Sequence, residues 1–517
     1  MLKRLLLGLA LAVTPAVCQA EWHEATTPHF IIYAQEGDKA LQHRAERLEA
    51  FHSLMLKAFN ITTEPIPYRV RIYVVPSTGY LQQMMPHPNS EVAGFYEPIA
   101  SGPVVFTPEN ADSGSGVFNS QVVLFHEYSH HFMLQNFPVA YPAWYVEGRA
   151  ETFATASFEK PGFITYGKPA NYRLGEIYNL DQPASDIITK HTGEGKRVEF
   201  SYGLNWLLTH YLLFSPERKG QLSAYLAAIN QGKTLEEAAK AFGDLRKLDQ
   251  DFARYKEAGN FPYVAVPIDK ANSEGITIRT LSPDEDAMLP LEMEYTKSDE
   301  LRQGDAAVFG PYAKAFAEKV EQAAAPYPQS KAALFLIALS EKDADHLDVA
   351  LQAADRLIAI APDFPRGHVV KGQILLAKAE KASGADKTAL AAAGRKEFVA
   401  ANKLNADDPL PLIGFYMSYG AGGVGSPDIA IQGLVHAVAI VPQDGDTRMM
   451  LARAYIVRGD KQNAIATLKP MTANTHGGRS AQMATKMIAR LEGREEGDPL
   501  KVEIPKDPKT PAPPKKT

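Results

Sequence analysis

Cysteine is almost absent from this sequence, since Cys18 is the only one in 517 residues. A chain with one cysteine cannot build a disulfide framework or a thiolate metal site, so histidine and carboxylate side chains must hold any metal. Basic charge is not in excess either, because 54 Lys and Arg residues stand against 60 Asp and Glu residues. With a net charge of -6 and no stripe of interleaved basic and aromatic residues, the chain is not predicted to bind nucleic acid.

Long apolar runs are also scarce, and the informative one lies at the N-terminus. Residues 5–13 are apolar, follow the charged pair Lys3 and Arg4, and precede a small-residue sequence that ends at Ala20. This order is typical of a secretory signal peptide, so we expect cleavage after Ala20. The run is shorter than the roughly 20 residues that cross a bilayer, so no transmembrane anchor is expected in the mature chain. The mature protein is predicted to be exported, periplasmic or secreted, and free of cysteine.

Length and composition predict several soluble domains, because 517 residues exceed one hydrophobic core and 22% of them are charged. The predicted divisions are a signal peptide (1–20), an α+β domain (21–266), a connecting segment (267–300), a helical repeat domain (301–494) and a disordered tail rich in Pro and Lys (495–517). The connecting segment is polar and broken, with β-like pieces at 276–280 and 291–295.

Strands precede helices in the first domain, which is why its predicted class is α+β. Alternating and β-branched runs predict strands at 29–35 and 68–75, and apolar residues at helical spacing predict a helix over 38–59 between them. A turn with Gly and Pro divides a predicted hairpin at 92–107. An apolar helical run over 120–135 follows.

The region 301–494 is alanine-rich, almost wholly helical and self-similar. Its clearest unit, residues 451–468, places small residues where two helices would cross, on either side of a Gly459-Asp460 turn. This pattern resembles the tetratricopeptide repeat, and the segment 408–442 matches that repeat's period of about 34 residues. Such repeats imply a surface that binds or positions a protein partner.

His126 and His130 lie four positions apart inside the predicted helix at 120–135, in the order His-Glu-Tyr-Ser-His. On a helix they project from one face, one turn apart, so both imidazoles can reach one metal ion. Glu127 follows the first histidine, where its carboxylate can act as general base toward an activated water. A catalytic zinc needs a third protein ligand, and the sequence offers two carboxylates, Glu147 and Glu151, on a predicted second helix.

The two histidines with Glu127, followed by Pro142-Ala143-Trp144 and then Glu147-Gly148-Arg149-Ala150, resemble the gluzincin metallopeptidases. The likeness is greatest to the small peptidase MA-like domains related to the aminopeptidases. The resemblance implies a thermolysin-like catalytic domain that binds one Zn²⁺ per chain. It assigns Glu147 as the third ligand and Glu151 to a position beside a zinc-bound histidine.

The resemblance also carries over a tyrosine that donates its hydroxyl to the oxyanion, and Tyr202, which heads a later predicted helix, stands at that position. The family's lysine-glycine pair after this tyrosine is Leu204-Asn205 here, and its Gly-x-Met-Glu-Asn signature for a substrate amino terminus is missing. Endopeptidase and aminopeptidase action therefore both stay open.

Two functions from different classes fit the sequence. In the first, an exported zinc peptidase hydrolyses a peptide or protein substrate with water activated by Glu127 and the metal. In the second, the helical repeats are a protein-binding scaffold and the metal domain is inactive or structural.

Overall fold

A computed structural model of the protein describes residues 21–63, 68–83, 94–109, 120–158, 160, 162–190, 200–268, 274–473 and 478–502. The predicted signal peptide and residues 503–517 of the predicted tail lie outside the described residues. Within the described part, no helix combines the length and apolarity needed to span a membrane.

In these residues, eight strands form a six-stranded mixed sheet and a separate two-stranded one. The strands are β1 (His23–Thr26), β2 (Phe30–Ala34), β3 (Val70–Val75), β4 (Phe95–Glu97), β5 (Val104–Pro108), β6 (Phe163–Tyr166), β7 (Val264–Pro267) and β8 (Thr277–Thr280). The order in the large sheet is β4-β5-β3-β2-β1-β8, with β2, β3 and β5 parallel to one another. The predicted strands near 29–35 and 68–75 are confirmed, and so is the hairpin, since β4 pairs antiparallel with β5 and lies at the sheet edge.

Helices cover the large sheet on both faces and then form a separate helical half. They are α1 (Asp38–Ala58), α2 (Thr78–Gln83), α3 (Ser120–Asn136), α4 (Ala143–Ala154), α5 (Leu174–Asn179), α6 (Ala184–Thr189), α7 (Tyr202–Phe214), α8 (Gln221–Asn230), α9 (Leu235–Ala239) and α10 (Leu245–Ala258). The α+β class predicted for this region is confirmed, because one compact unit contains the mixed sheet and these helices.

Period-two alternation along the strands divides the core into two layers. In β3, Ile72 and Val74 face α1 and α3, whereas Tyr73 and Val75 face α2 on the other side. Phe125 and Phe132 of α3 belong to the first layer and Met133 of α3 to the core of the helical half, so α3 lies between the two. That half has its own core around Trp206 and neighbouring residues of α7.

The segment 267–300, which the sequence predicts as a connection, contains elements of the sheet layer. Strand β8 pairs antiparallel with β1 and forms the second sheet edge. Residues 291–295, predicted as β-like, are helical, so that prediction is wrong: they belong to α11 (Pro283–Lys297), which starts with a capping box at Ser282. Their strand-like alternation has a physical reason. Met293 packs on the sheet while Leu291 faces the next helices, so this helix buries two sides.

Antiparallel helices occupy the rest of the described chain, which confirms the predicted helical repeats. They are α12 (Asp299–Arg302), α13 (Ala306–Ala324), α14 (Lys331–Asp343), α15 (Leu347–Ile360), α16 (Pro365–Lys381), α17 (Gly384–Leu404), α18 (Pro409–Ala421), α19 (Asp428–Ile440), α20 (Gly445–Val457), α21 (Lys461–Leu468) and α22 (Gly478–Leu491). Fully buried alanines, including Ala354, Ala391 and Ala437, allow successive helices to approach closely.

The repeats contact the sheet region at the turn between β4 and β5. The Arg366 guanidinium, at the start of α16, donates to the Tyr68 hydroxyl at 2.6 Å and to the Ser101 carbonyl at 2.9 Å. Further along, the Gln135 side chain of α3 donates to the Ile440 carbonyl at 3.3 Å. The repeat region is therefore attached both to the edge of the sheet and to the helix that carries the paired histidines.

Candidate metal centre

Helix α3 is fixed by aromatic packing on the face turned to the sheet. The Phe125 ring stacks on Phe51 of α1 with ring centroids 3.9 Å apart, and the Tyr128 hydroxyl lies 2.6 Å from Nδ1 of His52. Because both contacts lie on one face, the opposite face, with His126 and His130, turns toward α4 and α7.

Helix α4 approaches α7 at Gly148, and the approach is too close for any other residue. A Cβ atom built at this position would lie 2.3 Å from the Asn205 carbonyl oxygen and 2.1 Å from the Thr209 hydroxyl oxygen. Contacts this short do not occur, so a glycine is required where the two helices cross. The neighbouring residue, Glu147, is fully buried as a result.

His126, His130 and Glu147 bring three ligand atoms together. The two Nε2 atoms of the histidines are 3.1 Å apart, and Oε2 of Glu147 lies 3.3 Å from His126 Nε2 and 3.5 Å from His130 Nε2. In the described part of the chain, these residues are the group of His, Cys, Asp or Glu side chains that could hold a metal ion. No metal-ligand group combines Glu151 with the two histidines in that part of the chain.

Glu151 lies one turn after Glu147 and faces the other nitrogen of His126, with Oε1 3.7 Å from Nδ1. Its carboxylate is held from the far side, since Oε1 accepts from the Arg173 guanidinium at 2.9 Å and Oε2 accepts from the Tyr172 hydroxyl at 2.6 Å. This buried charge is therefore compensated and fixed in place. Its position suits a group that orients the His126 ring.

The charges around His126 act on its protonation. Burial alone would lower the pKa of His126, but the hydrogen bond to Glu147 and the charges of Glu151 and Glu147 outweigh burial and raise it to about 9. An imidazole with two carboxylates beside it attracts positive charge, either a proton or a metal cation. The site is thus electrostatically suited to a cation.

Tyr202 is the first residue of α7 and lies beside the histidines, with its ring centroid 6.0 Å from that of His126. The preceding residue, Ser201, caps the helix by accepting from the Leu204 N–H. Burial and then the charge of Glu147 raise the pKa of Tyr202 to about 12, so its phenol stays protonated at neutral pH. A protonated phenol can donate a hydrogen bond into the site.

Glu127 is half-buried, and its charge acts on phenols from two elements. Burial is the main cause of the raised pKa of Tyr202 and of Tyr96 in strand β4, and Glu127 adds to both, after Glu147 for Tyr202 and after Asp444 for Tyr96. The Tyr96 hydroxyl lies 3.0 Å from Nδ1 of His131, the residue next to the second paired histidine. The edge strand is thereby tied to α3 alongside the candidate site.

Sequence reasoning missed Tyr96, Tyr172 and Arg173. Each comes from an element that no motif marks, a three-residue edge strand in one case and the turn before α5 in the other two. The Tyr172-Arg173 pair follows Glu151 by 21 and 22 positions, with strand β6 between them, so only the folded backbone reveals the contact. No local pattern in the sequence could have identified it.

No protein-family model matches this chain. No curated protein sequence matches it. Among solved structures, the chain is similar to TTC0263, a thermophilic TPR protein of Thermus thermophilus, at 17% identity over 39% of this chain and 97% of that chain, with a TM-score of 0.34. A similarity at this level assigns no function, so the repeats of this chain rest on the helix pairs described above.

Proposed function

We propose that this protein is a gluzincin-type zinc peptidase that hydrolyses peptide bonds, with one zinc ion held by His126, His130 and Glu147. The convergence of these three ligand atoms carries the proposal. Two imidazoles and one carboxylate are a known ligand set for catalytic zinc, with a fourth position left for water or substrate.

The spacing of the ligand atoms fits this ion. Zinc binds nitrogen and oxygen ligands at about 2.0–2.2 Å, which in a tetrahedron separates neighbouring ligand atoms by about 3.3–3.6 Å. The three separations here are 3.1, 3.3 and 3.5 Å. A calcium site would instead offer six or more oxygen atoms, so the donor set favours zinc.

Zinc, when bound, would polarise the substrate carbonyl and acidify water. The residues of the chain supply the rest. Glu127, half-buried beside the ligands, accepts the proton of the attacking water and returns it to the leaving amine. Tyr202 donates a hydrogen bond from its phenol to the oxyanion. Glu151, whose carboxylate is fixed by Tyr172 and Arg173, orients the His126 ring.

The test compares Glu127→Gln with Glu147→Gln, two isosteric changes with different expected effects. Glu127→Gln leaves the three ligands in place, so zinc should stay bound at full stoichiometry while turnover falls at least about a hundredfold. Glu147→Gln removes a charged ligand, so zinc affinity and thermal stability should both fall and be partly restored by added zinc.

The measurements are metal analysis, zinc titration, and mass spectrometry of a peptide library incubated with each protein. His126→Ala and His130→Ala serve as further controls and should each lose the metal. If Glu127→Gln loses zinc while Glu147→Gln keeps both zinc and activity, the assigned roles are wrong and Glu151 becomes the candidate ligand.

The second candidate function is a protein-binding scaffold, and the observation in its favour is the long series of helix pairs from α13 to α22. In that case the metal domain would be inactive or structural. A scaffold keeps its partner after zinc is removed, and Glu127→Gln leaves its function intact. An exported location, periplasmic or secreted, belongs to both proposals and is tested by N-terminal sequencing of the mature protein.

A further inference from the structure

A cavity of about 650 Å³ lies beside the N-terminal part of α3, away from the paired histidines. Gln121, Leu124 and Phe125 of α3 line it, together with residues of α1 and the segment after α4. On a helix these three positions point roughly opposite to His126 and His130, so the metal helix itself separates the cavity from the candidate metal centre.

Arg47 is the unusual residue of this cavity. Its guanidinium makes no hydrogen bond or ion pair with any residue in the described part of the chain, although its Nε atom is buried. It stacks over the Phe158 ring at 4.4 Å. Burial, and then the charge of Arg44, lower the pKa of Arg47, as expected for a cation without a compensating anion.

The neighbouring cation is already satisfied. The Arg44 guanidinium donates to both oxygens of Glu36, from Nε at 2.6 Å and from Nη2 at 2.9 Å. Among the described residues that line the cavity, these two guanidinium groups and one carboxylate leave one positive charge in excess.

We propose that this cavity is a binding site for a carboxylate attached to an apolar group, such as the C-terminal residue of a peptide, with Arg47 as its principal contact. A guanidinium presents a planar fork that matches the two oxygens of a carboxylate. Leu124, Phe125 and Phe158 supply an apolar surface for the group next to the charge. The site is independent of the zinc ligands, so it goes beyond the proposed function.

The experiment is isothermal titration calorimetry of the full chain with N-acetyl-L-phenylalanine. N-acetyl-L-phenylalaninamide, which lacks the charge, and inorganic phosphate, which lacks the apolar group, are the comparison probes. The variants are Arg47→Met and, as a matched loss of charge on the surface, Arg246→Met, whose side chain is 91% exposed. His126→Ala tests whether the carboxylate is bound at the metal centre instead.

We expect the carboxylate to bind the wild type, Arg246→Met and His126→Ala equally, and Arg47→Met about tenfold or more weakly, because a hydrogen-bonded charge pair is lost. The amide and phosphate should also bind at least about tenfold more weakly than the carboxylate. If Arg47→Met does not fold, Arg47→Lys, which keeps the charge without the fork, should show an intermediate affinity.

Any of four results would overturn the proposal. If the carboxylate does not bind the wild type, the cavity is not a carboxylate site. If it binds Arg47→Met or Arg47→Lys as tightly as the wild type, Arg47 is not the contact. If His126→Ala loses binding, the carboxylate binds at the metal centre and not in this cavity. Phosphate that binds as tightly as the carboxylate means that the site recognises charge alone. Failure of the carboxylate site leaves the proposed hydrolysis of peptide bonds untested by these data, so the two proposals fail separately.

Discussion

The sheet region and the helical repeats differ in the side chains that occupy their helix crossings. Where α3, α4 and α7 meet, the buried residues include His130, Glu147 and Glu151, whereas the helix crossings of the repeats are occupied by alanines such as Ala354 and Ala437. Buried charges are costly unless they are paired, and Tyr172 and Arg173 supply that pairing around Glu151. The helix crossings of the first region therefore hold buried polar groups, while those of the repeats are packed with small apolar side chains.

The largest effect is expected from dividing the two regions at the predicted boundary. A fragment of residues 21–266 lacks β8 and α11, and with them Leu281, Leu289 and Met293, which bury Trp22 in the second core layer. Each buried side chain contributes about 1.5–3 kcal/mol, which together approaches the stability of a whole domain. We expect this fragment to lose cooperative thermal unfolding. A fragment of 21–300 should keep it, and equal behaviour of the two would contradict the assignment of β8 to the sheet.

The helix crossings of the two regions should respond oppositely to the same substitution. Gly148→Ala places a methyl group against the α7 backbone and should cost about 3 kcal/mol or more. Gly433→Ala, in repeat helix α19, meets nothing closer than 3.8 Å and should stabilise by about 0.5–1 kcal/mol through helix propensity. Chemical denaturation measures both. A Gly148→Ala variant as stable as the wild type would mean that α4 and α7 are farther apart than described.

A smaller effect should appear at Asp444, the buried N-cap of repeat helix α20. Burial raises its pKa to about 7, against the lowering effect of its hydrogen bonds with Thr447. A raised folded-state pKa means that the stability from this group is present at low pH and lost as pH rises from about 4 through 7. Asp444→Asn removes this loss, so it should gain stability over the wild type at pH 8, on the order of 2 kcal/mol.

The check on Asp444→Asn is thermal unfolding of both proteins at pH 5 and pH 8. The stability advantage of the variant should shrink at pH 5, where the wild-type carboxyl is already protonated. If the stability advantage of Asp444→Asn does not change with pH, it comes from packing and not from the titration of Asp444.

The smallest effect compares helix N-caps in the two regions. Ser330 caps α14 by accepting from the Ala333 N–H, so Ser330→Ala should cost about 1 kcal/mol and leave any peptidase activity unchanged. Ser201 caps α7 and also donates to Glu176 at 2.9 Å, directly before Tyr202. Ser201→Ala should therefore cost up to about 2 kcal/mol and reduce turnover as well. If both variants turn over substrate at the same rate, Tyr202 does not contribute to catalysis.

Local patterns in the sequence predicted much of this fold. Helix α3 and the relation of His126 to His130 follow from four-residue spacing, and Tyr202 was predicted at the start of a helix. Contacts between distant segments could not be predicted. The alternation of residues 291–295 suggested a strand because α11 buries two sides, a property that depends on what lies against it. The Arg173 contact with Glu151 likewise arises only once α4 and α5 are placed together.

The pairing of β1 with β8 has a consequence for how the protein is made. The backbone N–H of Trp22, just before β1, donates to the Asp286 carboxylate 264 positions later in the chain. Strand β1 therefore leaves the ribosome long before β8 is synthesised, so one edge of the sheet stays unpaired in the nascent chain. The six-stranded sheet can therefore be completed only after the residues of β8 have been synthesised.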